Sequence, residues 1–219
     1  MGPSDMTIDT NGNVIVLGSA KYVSESSQHG LILKISPAGN VIWRNDFATA
    51  SSNNMIMKDL ELDSYGTLWV SDHSANLYKF DQSTGNLLNT SPIGAPGSFV
   101  AGTVRRYGVN EVLVTSGGYY NYQMAVFLHK MDTLGNMIWS KEYSNINFMN
   151  IEVSDVRFDS NGRIYLLGSS AEGEGGFGDI ILMKYCDLPV PSISSSGPYQ
   201  NICPGNPVTL TAGSGDSYL

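Results

Sequence analysis

Three aspartates stand at the head of similar tetrapeptides: Asp9 in D-T-N-G, Asp63 in D-S-Y-G and Asp159 in D-S-N-G. Loops of this kind invite a calcium reading, but calcium takes about six or more oxygen ligands. None of the three has the further acidic residues or the distal Glu that would supply them, so the pattern fits Asx-turn capping of the backbone instead. His29, His73 and His129 lie in separate segments, with no H-x-H, H-x-x-x-H or neighbouring Cys to complete a metal site. His129, beside Lys130 in a strand-like run, reads as structural. Glu172 and Glu174 in EGEGGFG could form a carboxylate pair, yet a Gly-rich loop holds catalytic geometry poorly. No G-x-S-x-G elbow, phosphate loop or G-x-G-x-x-G is present. We therefore expect no cofactor, no metal and no catalytic residue.

The segment GGYYNYQM is the most suggestive for binding, with Tyr119, Tyr120 and Tyr122 around Asn121. Tyrosine presents a flat apolar ring and a hydroxyl at small entropic cost, which suits a sugar ring or a protein surface. The competing reading is that these rings pack over a neighbouring repeat. Cys186 and Cys203 flank a Pro- and Ser-rich stretch and can pair in an oxidising compartment; the alternative is that Cys203 awaits a partner elsewhere.

These residues sit on a repeated frame. FLHKMDTLGNMIWSKEY, from Phe127 to Tyr143, reads as two alternating strands joined by a tight turn, and LILKISPAGNVIWRNDF, from Leu31 to Phe47, repeats it. LYKFDQSTGNLLNT, from Leu77, is a third copy, and ILMKYCD, from Ile181 to Asp187, starts a fourth without its second strand. Each copy is preceded by another strand pair: IDTNGNVIVLGS, LDSYGTLWVSD, RYGVNEVLVTSG and FDSNGRIYLLGS. Asn11-Gly12 and Asn161-Gly162 are signals for two-residue type I′ hairpins, in which both central residues need positive φ. In the third copy Tyr107 replaces the Asp, and Asn110 stands at the Gly position as its commonest left-handed substitute.

Gly12, Gly66, Asn110 and Gly162 are separated by 54, 44 and 52 residues, near the roughly 40 to 50 residues of a four-stranded propeller blade. Lys34, Lys79, Lys130 and Lys184 recur in the third strand, and Trp43, Asn89 and Trp139 follow Gly39, Gly85 and Gly135 by four positions. The expected fold is all-β: a partial β-propeller of about four four-stranded antiparallel blades, the last incomplete, with a truncated C-terminal β-sandwich segment. Residues 1–187 hold the repeats, 188–199 form a linker and 200–219 begin a second module. Each repeat buries its faces only against neighbours, so an open arc of a larger ring is expected, needing further blades of the same parent chain for closure.

The pattern D-x-x-G-N-x-Y/V-x-x-G followed by K-x-D-x-x-G-N-x-x-W resembles the β-propeller repeats of bacterial surface proteins, common among secreted proteins of the Bacteroidetes. The tail, with Pro191, Cys203, Gly205 and Val208 to Ala212, is similar to the opening of the immunoglobulin-like or PKD-like modules that follow such propellers. That resemblance implies a secreted or cell-surface location, C-terminal modules as neighbours, and a Cys203 partner beyond residue 219. NLYKFDQSTGNLL also resembles quinoprotein dehydrogenase repeats, but Asn89 replaces their docking Trp, and their vicinal cysteines and acidic calcium ligands are missing. DSYGTLW differs from a sialidase Asp-box by one residue between Asp and Gly.

The bulk composition sets limits. Twelve Lys plus Arg against 20 Asp plus Glu give a net charge of −8 without a basic stripe, which argues against nucleic acid as partner. No apolar run approaches the roughly 20 residues of a membrane span. Met1–Asp5 lacks the basic and apolar regions of a signal peptide; either the chain starts inside a longer protein or Met1–Ser4 is a leader ahead of it.

In a propeller the connections between strands 2 and 3 and those between blades leave one end, and the hairpin turns leave the other. The connections at 20–29, 48–58, 91–101, 118–125, 144–152 and 170–178 all belong to the first end and are expected as long loops. Ligand contact is expected at Tyr119, Tyr120, Asn121 and Tyr122, with support from Tyr22, His29, Phe148 and Phe177. The expected function is a non-enzymatic extracellular binding or scaffold module for glycan or protein. The alternative is a propeller enzyme, either quinoprotein-like or a lyase or hydrolase. A deep axial pocket gathering Arg, His or carboxylates would favour the enzyme, and separated loop tips the binding module.

Overall fold

The computed structural model describes residues 2–21, 27–48, 55–93, 99–120, 123–145, 150–160, 162–171, 178–186, 210–211 and 217–218. Blade 1 comprises β1 (Gly2–Ile8), β2 (Val14–Ala20), β3 (His29–Ile35) and β4 (Val41–Phe47); blade 2 comprises β5 (Met57–Leu62), β6 (Thr67–Asp72), β7 (Asn76–Asp81) and β8 (Leu87–Pro92). Blade 3 comprises β9 (Phe99–Tyr107), β10 (Glu111–Tyr120), β11 (Gln123–Asp132) and β12 (Met137–Asn145), and blade 4 stops at three strands, β13 (Asn150–Phe158), β14 (Arg163–Ala171) and β15 (Gly178–Cys186). Every sheet is antiparallel in chain order. Two short strands, β16 (Leu210–Thr211) and β17 (Ser217–Tyr218), pair with each other in the tail. Among the described residues there is no helix, and so none long and apolar enough to cross a membrane.

The first strand of each blade is innermost. β1 packs on β5, β5 on β9 and β9 on β13, whereas the ends of the series, β1 and β13, form no comparable contact among the described residues. The four blades thus form an open arc, as the repeat pattern predicts.

Strand alternation gives each blade two faces, and three cores fill the three junctions. Ile15, Leu17, Ile32 and Phe47 of blade 1 meet Leu60, Leu68, Val70, Tyr78 and Phe80 of blade 2. Trp69, Leu77 and Ile93 of blade 2 meet Val104, Val112, Val114 and Phe127 of blade 3. Leu113, Val126 and Leu128 of blade 3 meet Val153, Val156, Ile164 and Leu166 of blade 4. Of the strand residues that the alternation marks for these junctions, Ile15, Leu17, Trp69, Leu113, Phe127, Ile164 and Leu166 are buried. Leu31 and Leu33 are only half-buried and Leu182 is exposed, because they lie on the two outward faces of the arc, which no described blade covers.

The hairpins differ from the two-residue type I′ turns that Asn-Gly predicts. Gly12 N–H donates to Asp9 C=O at 3.0 Å and Asp9 N–H to Asn13 C=O at 3.0 Å, and Gly12 alone in this turn has positive φ, at 77°. This is a three-residue loop, a type I turn closed by a left-handed Gly. Ser36–Asn40, Asp63–Thr67, Asp132–Asn136 and Asp159–Arg163 close with the same pair of bonds. In blade 3 the loop is Gly108-Val109-Asn110, and Gly108 (φ 68°), not Asn110, takes the left-handed position.

Candidate functional site: the axial cleft and the long-connection end

The aspartates are caps. Asp9 Oδ1 accepts the N–H groups of Asn11 and Asn13, each at 2.9 Å. Asp63 does so for Tyr65 and Thr67, Asp72 for Ser74 and Asn76, and Asp132 for Leu134 and Asn136. Their second oxygens are also engaged: Asp9 with Lys34 at 2.8 Å, Asp63 with Trp69 Nε1–H at 2.9 Å, and Asp72 with the Tyr78 hydroxyl at 2.7 Å. Burial opposes the charge of Asp9, but the hydrogen bonds from Asn13 and Lys34 hold its pKa well below the usual carboxylate range. Among the described residues no group of three or more His, Cys, Asp or Glu could hold a metal ion.

The hairpin end of the arc is knitted together by these turns. Lys34 Nζ and Trp43 Nε1–H of blade 1 both donate to Gln82 C=O of blade 2, at 3.0 and 3.1 Å. Lys79 of blade 2 donates to Thr133 C=O of blade 3 at 2.5 Å, and the Tyr107 hydroxyl of blade 3 to Gly162 C=O of blade 4 at 3.1 Å. Tyr107 replaces the turn Asp in blade 3; Lys130 Nζ there lies 4.9 Å from its ring centroid and 2.8 Å from Glu111.

A second aspartate series escapes a reading built on turns. Asp5, Asp59 and Asp155 stand four residues before Asp9, Asp63 and Asp159, each at a bulge of its innermost strand. Asp5 Oδ2 accepts Leu60 N–H at 3.0 Å, and Asp59 Oδ2 accepts Val104 N–H at 2.7 Å, each bond crossing to the next blade. Thr103 occupies the place in blade 3. Its neighbour Arg105 instead joins Asp59 to Asp155, the latter at 3.1 Å. Burial, and then the hydrogen bond that a protonated Asp59 donates to the Asp5 carboxylate, pushes Asp59 up to about 7 against the opposing pull of Arg105. The D-x-x-x-D spacing in DMTID, DLELD and DVRFD was the available signal.

These inner strands line an axial cleft of about 310 Å³ bounded by Ser4, Asp5, Lys58, Asp59, Gly102, Thr103, Glu152, Val153 and Ser154. All belong to the early halves of their strands, so the cleft lies toward the end from which the inter-blade connections emerge. Lys58 of blade 2 reaches Glu152 of blade 4 at 2.8 Å across it, and that contact is the main reason that Glu152 is held below its usual pKa. By the criterion of clustered axial charges the cleft has a feature of an enzyme. Yet the oxygens of Asp59 and Asp155 already serve Val104, Arg105, Val156 and Arg157.

Of the residues expected to contact a ligand, His29, Tyr119 and Tyr120 are described, and they lie toward the same end. His29 opens β3 opposite Ala20 and is half-buried. Tyr119 and Tyr120 are not in a loop: β10 continues through them, pairing Tyr119 with Met124 and Tyr120 with Gln123. The strand propensity of consecutive Tyr residues extends the hairpin where a loop over 118–125 is expected. Asn121, Tyr122, Tyr22, Phe148, Phe177, Glu172, Glu174 and Cys203 lie outside the described residues; Cys186 is described only as the last backbone position of β15. Not every connection at this end is long, since β6 and β7 are joined by His73-Ser74-Ala75 alone. His129 is buried in blade 3, its Nε2 3.0 Å from Ser116 Oγ, and burial pushes its pKa down to about 4.

No protein-family model matches the chain, and no curated protein matches it. Among solved structures, the chain is similar to BamB from Moraxella catarrhalis, with 11% identity and a TM-score of 0.44 over 81% of this chain and 59% of that one. It is also similar to the C-terminal WD40 domain of Sif2, with 9% identity and a TM-score of 0.49 over 80% of this chain and 43% of that one. The chain thus spans well under two thirds of either. The blade order, the inner-strand contacts and the three junction cores make it a four-bladed section of a β-propeller.

Proposed function

We propose that the chain is a non-enzymatic binding or scaffold module of a secreted or cell-surface bacterial protein, engaging glycan or protein at the long-connection end of its axis. The observation that carries this reading is the asymmetry of the two ends. The hairpin end is bound up in hydrogen bonds from strand side chains to turn carbonyls of the next blade, while the other presents a polar cleft with the Tyr119-Tyr120 hairpin of blade 3 and His29 of blade 1 at its end of the strands. Serine and threonine hydroxyls and the Lys58–Glu152 pair suit a hydroxylated ligand, and Tyr119, Tyr120, Asn121 and Tyr122, with Tyr22, His29, Phe148 and Phe177, supply stacking and hydrogen bonding. Single contacts of this kind are weak, and surface proteins strengthen them by repetition. Residues 200–219 begin an immunoglobulin-like or PKD-like module behind the 188–199 linker, and Cys186 and Cys203 pair with each other or Cys203 pairs within that module. A glycan array and a protein pulldown, run with the wild-type chain and a Tyr119→Ala/Tyr120→Ala/Tyr122→Ala variant, test the site. Retention of full binding by a folded triple variant moves the site elsewhere.

One observation favours a second reading. The raised Asp59 beside Asp5 is the kind of carboxyl pair that serves as acid and base in a propeller enzyme. Turnover that disappears in a folded Asp59→Asn variant would establish it.

A further inference from the structure

The outer strands of blades 1 to 3 carry Trp43, Asn89 and Trp139 at one register, each paired with the recurrent Lys of the third strand, Lys34, Lys79 and Lys130. Trp43 shows what this position does. Its indole covers Gly85 of the next blade so closely that a Cβ added there would come within 2.7 Å of the ring. Its Nε1–H donates to Gln82 C=O at 3.1 Å, and Lys34 Nζ donates to the same oxygen at 3.0 Å. Trp139 likewise meets the following blade, its ring centroid 5.4 Å from that of Tyr185.

Between blades 2 and 3 the frame is kept and the ring is missing. Gly135 holds the place of Gly85, with positive φ in both (92° and 75°) and each N–H bonded back to the Asp that opens its turn. Thr133 C=O holds the place of Gln82 C=O and accepts Lys79 Nζ at 2.5 Å. Asn89 is exposed and bonds within its own strand, Nδ2–H to Ser91 Oγ at 3.3 Å and Oδ1 from Thr90 N–H at 2.9 Å. A Cβ on Gly135 would meet nothing nearer than Lys79 Cδ at 3.8 Å and Asn89 Nδ2 at 4.0 Å. The room that the Trp43 indole takes in one junction is open in the next, between two complete blades.

We propose that this recess receives the indole of a tryptophan on a partner protein. The electrostatics match: an indole N–H donates and accepts nothing, and a carbonyl has two lone pairs, so Thr133 C=O can take a second donor as Gln82 C=O does. The Lys79 ammonium beside the recess favours the face of an aromatic ring. A protein segment fits better than a free aromatic molecule. Leu87 and Leu88, which precede Asn89, and Leu134, which precedes Gly135, are 44%, 57% and 74% exposed, apolar area that a segment covers and a lone ring leaves wet. A Trp in a small preformed pocket is also the commonest kind of interface anchor. The recess belongs to the hairpin end and is separate from the glycan or protein site proposed at the long-connection end.

An amide NMR titration of the 219-residue chain tests this with three probes: free indole, the capped peptide Ser-Leu-Trp-Leu-Ser, and the same peptide with Ala for Trp. The Trp peptide should shift the amides of Asn89 and Gly135, and the Ala peptide should bind about thirtyfold more weakly or worse, the scale of a lost interface anchor. Asn89→Trp supplies the ring from within the chain. It should fold, because two neighbouring blades carry Trp at this register, melt at a higher temperature than wild type and lose the peptide shifts. Trp43→Ala should open a second recess over Gly85 and add shifts there. Absence of shifts at Asn89 and Gly135 with millimolar Trp peptide would overturn the proposal. Undiminished binding by Asn89→Trp, or a folded Trp43→Ala chain that gains no second site, would overturn it too. Free indole binding as tightly as the Trp peptide would overturn the partner protein in favour of a small aromatic ligand.

Discussion

Asp59 Oδ2 accepts the main-chain N–H of Val104, one blade away, at 2.7 Å. The same carboxylate pairs with Arg105, so one buried side chain satisfies a backbone donor and a guanidinium together. Removing it strands both. Asp59→Ala should cost about 3 kcal/mol, the range seen when one partner of a buried pair is deleted, and Asp59→Asn should cost less because its amide oxygen still accepts Val104 N–H. Urea unfolding measures both.

Asp59 also sets a pH signature. Its folded pKa, about 7, lies above the ordinary carboxylate value, so the folded state binds its proton more tightly than the unfolded chain does. That contribution is complete below the unfolded pKa of about 4 and is lost as pH rises through 7. Wild-type stability should therefore carry a component that falls between those limits, and the component should vanish in Asp59→Asn when urea midpoints are compared across pH.

The opposite slope comes from groups with depressed values. Burial holds His129 down to about 4; hydrogen bonds from Ser83 and Thr84 hold Asp81 down to about 2, and Asp9 and Asp132 are also lowered. Their stabilisation is present above the unfolded pKa values and is lost as pH falls through the folded ones. His129→Met should reduce the loss between pH about 6.5 and 4, while leaving the steeper carboxylate-driven loss at lower pH.

Trp43 lies over Gly85, where a Cβ would come within 2.7 Å of its ring and where φ is 75°. Gly85→Ala combines backbone strain with a clash and should cost about 2 kcal/mol. In a Trp43→Ala background the clash is gone and only the backbone part should remain. A double-mutant cycle with no coupling would contradict the contact.

Leu113 fills the junction between blades 3 and 4, whereas Leu182 lies on an uncovered face. Leu113→Ala should cost about 2 to 5 kcal/mol, and Leu182→Ala less than about 0.5 kcal/mol. Thermal melts of the two variants make the comparison.

The blade frame is legible in the sequence because it rests on local signals. Gly12, Gly66 and Gly162 mark turns that need a left-handed residue, and the third-strand Lys recurs at a fixed register. What alternation alone cannot supply is which face has a neighbour. Leu31 and Leu182 have the same apolar character as Ile32 and Leu128, and only the arrangement of blades distinguishes them. The turn type at Asn11-Gly12 was decided by Asp9, whose carboxylate organises a three-residue loop that the Asn-Gly pair does not announce. The inner aspartates are hidden differently: Asp5 and Asp59 sit in strand runs where an isolated acid reads as solvent-facing, and their partners are backbone groups 55 and 45 positions away. Tyr119 and Tyr120 illustrate the reverse case, a segment that looks like a loop by its glycines and continues as a strand.

The bonds that tie the hairpin end together are anchored on main-chain carbonyls of the following blade: Gln82 and Gly85 for blade 1, Thr133 for blade 2 and Gly162 for blade 3. A carbonyl is present whatever side chain its residue bears. The accepting turn is therefore free to diverge in sequence while its shape and the neighbour's donor side chain are kept, and a blade with the same turn shape can be duplicated, deleted or transplanted at the genetic level while its new neighbour still finds the acceptor it needs.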